Sequence, residues 1–145
     1  IRASWLETAG ADDIVLLPGD LSWAMRLEEA GEHLRQVGEL PGRKVLLRGN
    51  HDYWWTGIGR VRAALPQGTF AVQNDALLLD DTLICGSRGW LLPGGDASAE
   101  DRKIFDRELI RLEMSLKRAR ELSAQAPMVV MLHFPPLPSP SRIPP

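Results

Sequence analysis

At 145 residues the chain is long enough for one domain with a packed core. An apolar share of 44% and a charged share of 25% are those of an ordinary globular protein. A formal charge of -2, with 17 basic residues scattered along the chain, leaves nucleic acid unsupported as a partner, and no apolar run approaches the roughly 20 residues of a membrane helix.

The chain opens at Ile1, without an initiator Met, in what reads as a helix remnant around Trp5, Leu6 and Ala9. Residues 13–17 and 44–47 are short apolar runs and predict strands. Between them Trp23, Leu27, Ala30, Leu34 and Val37 recur at +4 and +3 and predict one helix face. Ser22 is placed to cap that helix and Pro41-Gly42 to end it. Gly31 lies inside it, at a cost of about 1 kcal/mol. His33 has no partner motif and reads as a surface residue.

Leu77, Leu78 and Leu79, then Asp80-Asp81, then residues 83–85 predict a hairpin. Phe105, Leu109, Leu112, Leu116 and Ala119 share one face of a second long helix, with Arg111, Lys117, Arg118 and Arg120 read as its solvated side. Residues 128–132 predict a further strand. The strands at 13–17, 44–47 and 128–132 are nearly continuous apolar runs, which predicts cover on both faces. Cys85 is a single thiol among apolar neighbours; with no partner cysteine and no signal peptide, a cytoplasmic protein is expected. Alternating strands and helices predict an α/β fold with a mixed sheet. The domain is expected over residues 1–136, followed by a Pro-rich stretch at 137–145 that is extended or disordered.

Polar residues follow the apolar strands in a regular way. Residues 15–17 run into Pro18-Gly19-Asp20, residues 45–47 into Arg48-Gly49-Asn50-His51-Asp52, and residues 129–132 into His133. The carboxyl ends of strands are where open α/β sheets bind ligands. Asp, Asn and His together form an oxygen and nitrogen donor set suited to Mn, Fe or Zn. Each feature alone has a plainer explanation, as a turn, a polar loop or a structural histidine; the three in this order favour a site.

At Gly19-Asp20, Gly49-Asn50-His51-Asp52 and His133 the sequence resembles the calcineurin-like metallophosphoesterase superfamily. Residues 16–25, 48–55 and 86–90 look like a bacterial branch of predicted phosphohydrolases. No Asp-x-His precedes Asp20 and no Gly-His-x-His follows His133, so two blocks of the family pattern are missing, and both ends read as those of a fragment. The resemblance implies an α/β/β/α sandwich with mixed sheets, here a partial domain.

The resemblance further implies two metal ions (a binuclear site, manganese among the choices), with Asp20 as a bridge and Asn50 and His133 as ligands of one ion. His51 would be a general acid or transition-state donor, and Asp52 would orient it. A small-molecule phosphoester is the expected substrate, with monoester and diester hydrolysis left open. Arg88 and Trp90, in a Gly-flanked loop, are candidates for clasping phosphate and stacking on a base or sugar, against the alternative of a loop anchored by a buried Trp. Trp23, Trp54 and Trp55 are expected to pack in the core rather than wall a pocket. The alternative from another class is a non-catalytic binding or scaffold module of the same fold.

Overall fold

The computed structural model describes residues 2–137, which fall into two compact units, Ile1–Val72 and Gln73–Pro145. The expectation for the Pro-rich stretch from Pro138 onward lies outside the described residues.

In the first unit, α1 (Arg2–Thr8) is followed by β1 (Ile14–Leu17), α2 (Leu27–Gly38), β2 (Arg43–Leu47), α3 (Ile58–Ala64) and β3 (Thr69–Val72). The strands form a parallel sheet in the order β1-β2-β3, with Leu17 opposite Leu46 and Leu47 opposite Val72. Leu27, Ala30 and Leu34 of α2 pack with Leu46, Trp54, Trp55, Val61 and Ala71 in one buried cluster. The helical spacing of the apolar residues therefore translates directly into core.

The start of α2 differs from expectation. The helix begins at Leu27, where the Glu29 carboxylate accepts the amides of Met25 at 3.1 Å and Arg26 at 3.3 Å. Ser22 lies five residues upstream, where its hydroxyl accepts the Ala24 amide and meets His33 Nδ1 at 2.7 Å. Trp23 consequently lies outside the helix and is 70% exposed, whereas Trp54 and Trp55 are core as expected. Lys44 is buried in β2, with its ammonium donating to the carbonyls of Gly38 and Leu40 at the end of α2; burial pushes its pKa down.

In the second unit, β4 (Ala76–Leu79) and β5 (Thr82–Ser87) form the predicted antiparallel hairpin, and α4 (Ala99–Leu122) leads to β6 (Met128–Leu132), which pairs parallel to β5. Ser98 caps α4 by accepting the Asp101 amide at 3.0 Å. The buried face of α4 runs through Glu108, Ser115 and Ala119, while Leu109 is 45% exposed. That shift from the predicted apolar stripe is fixed by hydrogen bonding: buried Ser115 accepts the Gly86 amide at 2.7 Å and donates to the Asp75 carbonyl at 2.5 Å.

The fold is thus α/β, with one parallel and one mixed sheet. Cover on both strand faces holds for β2 from Lys44 to Leu47, but Val129 and Val130 of β6 remain exposed. Among the described residues, no helix is long and apolar enough to cross a membrane.

Candidate active site

Parallel β1 and β2 end side by side, so the loops that follow them meet. Their junction is built on Asp52, which is 1% exposed. Its Oδ2 accepts the amides of Asp20 and Gly49, each at 2.8 Å. Its Oδ1 accepts the Leu21 amide at 2.9 Å, the Ser22 amide at 3.4 Å and the Trp54 indole N–H at 2.9 Å. A buried carboxylate is costly unless such donors surround it, and five of them do so here.

Asp20 completes the lock in the other direction. Its Oδ1 accepts the His51 amide at 2.9 Å. To do so Asp20 takes a left-handed backbone, φ +58°, which is strained for a residue with a Cβ. Its carboxylate lies against Gly49: a Cβ there would fall 2.1 Å from Asp20 Oδ1 and 2.4 Å from its amide nitrogen. Glycine at 49 is the condition for that close approach.

The expected orienting contact from Asp52 to the His51 imidazole is not the one made, because the carboxylate is committed to the amides and the Trp54 indole. His51 Nδ1 instead lies 3.3 Å from the Tyr53 hydroxyl, and the Trp23 ring stands 4.5 Å from the imidazole at 32°. Asp20, Asn50, His51 and Asp52 are therefore brought together within the first unit. Beside them an open cleft of about 580 Å³ is lined by Asp20, Ser22, Trp23, His33 and Val37. Tyr53 and the exposed Trp23 were not picked out by sequence as neighbours of the imidazole. Their signal was only proximity in the loop for Tyr53, and for Trp23 a helical spacing that pointed to the core.

In the second unit, Arg88 follows β5 and His133 follows β6. The Arg88 carbonyl accepts the amides of His133 at 3.2 Å and Phe134 at 3.0 Å, so the two strand ends are tied. The Arg88 guanidinium stands 4.9 Å from the Trp90 ring centre and 3.5 Å from Glu108 Oε1. Trp90 packs on Phe134 at 5.1 Å, and its indole N–H donates to Asp101 at 3.4 Å. Ser98 and that indole hold the Asp101 carboxyl below its ordinary pKa. These contacts are those of an anchored loop.

The donors fit part of a divalent-ion site. Asp20 supplies carboxylate oxygen at an exposed strand end, kept there by the space that Gly49 leaves, and Asn50 supplies an amide oxygen from the adjoining loop. Among the described residues, no group of three His, Cys, Asp or Glu is arranged to hold a metal ion.

The sequence matches the family described as calcineurin-like phosphoesterase over residues 3–143. No curated protein matches it. Among solved structures it is similar to a protein of unknown function from Aquifex aeolicus, at 17% identity and a TM-score of 0.43, covering 90% of this chain and 73% of that one.

Proposed function

The chain belongs to the calcineurin-like phosphoesterase family, and we propose from that premise that it hydrolyses phosphate esters of small molecules with the help of two divalent ions. The observation that carries the reading is the interlock of Asp20, His51 and Asp52, which fixes the Asp20 carboxylate and the backbone of His51 at adjoining strand ends. In this reading Asp20, Asn50 and His133 hold the ions, with further ligands outside these residues. When bound, the ions supply Lewis-acid polarisation of the phosphoryl group and a nucleophilic water at neutral pH.

The chain's own residues do the rest. Asp20 is held by its amide and its Oδ1, so the carboxylate is positioned before any ligand arrives. Tyr53 engages His51 at Nδ1; in this reading the hydroxyl donates there, and Nε2 carries the proton that passes to the leaving oxygen. Asp52 is a positioning residue that holds both loops through their amides. The open cleft beside Asp20 admits a small substrate.

The test uses the protein loaded with Mn, Fe or Zn and assayed on 4-nitrophenyl phosphate and bis(4-nitrophenyl) phosphate. His51→Ala is expected to keep its metal and lose about 10²–10⁴ in kcat. Asp20→Asn is expected to lose metal. Full metal occupancy in Asp20→Asn, or unchanged kcat in His51→Ala, would sink the assignment. The second reading is a non-catalytic scaffold of the same fold. Metal binding without turnover on either ester distinguishes it.

A further inference from the structure

A second cavity lies within the second unit, under the loop that follows β5. It measures about 150 Å³, and Trp90, Phe105, Leu112, Leu132 and Phe134 supply most of its wall. A cavity of roughly this size with aliphatic and aromatic walls accepts one benzene ring. Its mouth is marked by Leu92 and Leu109, both about half exposed.

Two buried polar side chains also line it, and neither is fully used by the protein. Glu108 is 3% exposed; its Oε1 takes Arg111 Nη1 at 2.6 Å and Arg88 Nη2 at 3.5 Å. Its Oε2 meets no donor among the described residues, and neither does the hydroxyl of buried Ser87. A buried carboxylate oxygen without a donor is costly, and a ligand that brings one recovers that cost. Two guanidinium groups already face Glu108, so a cationic ligand is disfavoured and a neutral donor fits.

We propose that this cavity binds a single aromatic ring bearing a neutral hydroxyl, seated against Trp90 and Phe134 with its hydroxyl donating to Glu108 Oε2. Apolar walls supply the affinity, and one buried acceptor supplies the preference for a ring with a donor. The inference does not rest on the phosphoesterase reading, since it needs neither metal nor turnover.

The test titrates the full chain with phenol and with benzene, following the Trp90 indole and Gly89 amide signals by NMR. Saturable shifts are expected for both probes, with phenol binding about ten-fold or more tightly. Glu108→Met should collapse that ratio toward one, because the buried acceptor for the ring hydroxyl is then gone and no N–H replaces it. Leu112→Trp fills the cavity and should abolish both titrations while the rest of the spectrum stays dispersed. The proposal is overturned by the absence of saturable shifts, by equal affinity for the two probes, or by binding that survives Leu112→Trp. It is also overturned if folded Glu108→Met keeps the phenol preference; should that variant fail to fold, the probe ratio and Leu112→Trp decide.

Discussion

Asp52 accepts the backbone amide of Asp20 at 2.8 Å, across 32 positions of sequence. The same oxygen takes the Gly49 amide, so the loops after β1 and β2 share one buried anion as their common anchor.

Asp52→Asn should therefore act first on stability. The amide can present one oxygen to donors that now use two, which turns an NH₂ toward at least two N–H groups. Loss of charge-assisted bonds and burial of unpaired donors predict destabilisation of about 3 kcal/mol or more. The urea midpoint measures it. A variant with unchanged stability but lost activity would return Asp52 to a direct catalytic role.

Gly49→Ala should disturb the same junction from the other side. The new methyl would stand 2.1 Å from Asp20 Oδ1, and nearby backbone atoms restrict its relief. Overpacking of this kind costs about 1–3 kcal/mol. Gly57→Ala, where a Cβ meets nothing within 4 Å, is the control. Thermal melting of the two variants should separate them; equal melting temperatures would contradict the close approach.

What the sequence made legible follows from local rules. Apolar runs ending in Gly-Asp, Gly-Asn-His-Asp and His located the ends of β1, β2 and β6, because strand and turn chemistry lie within a few residues of one another. β3 was missed, since its run opens on Thr69 and holds Phe70, Ala71 and Val72 as its apolar residues, and α3, seven residues long, was missed with it. Ser22 was misassigned as a cap because its amide is claimed by Asp52 and its hydroxyl by His33, neither of which a local pattern encodes. Ser115 faces inward on α4 for the same reason, since its partners Gly86 and Asp75 are distant in sequence; Glu108 pairs with Arg111 one turn along the helix and with the distant Arg88.

Gly31→Ala is expected to stabilise the protein. Gly31 lies inside α2, and a Cβ there meets nothing within 4 Å. Alanine keeps the helical backbone and reduces the freedom of the unfolded chain, for a gain of about 0.5–1 kcal/mol. A rise in the urea midpoint at constant slope checks this, and a fall would mean that the middle of α2 is not a regular helix.

Cys85 supplies a pH prediction. The thiol is fully buried between Leu83 and Ala119, and burial pushes its pKa up, opposed by Ser115 and Arg120. The folded state therefore holds the thiol proton more tightly than the unfolded chain, whose thiol titrates near its ordinary value of about 8.5. Below that pH both states keep the proton and the contribution to stability is complete. As pH rises above it, the unfolded state loses its proton first and stability falls until the folded thiol also titrates. Unfolding free energy measured between pH 7 and 10 should decline more steeply in the parent protein than in Cys85→Ala. At pH 7 a thiol reagent should react only as fast as the unit around β5 opens, so rapid labelling of the folded protein would show that the thiol is accessible and the predicted slope misplaced.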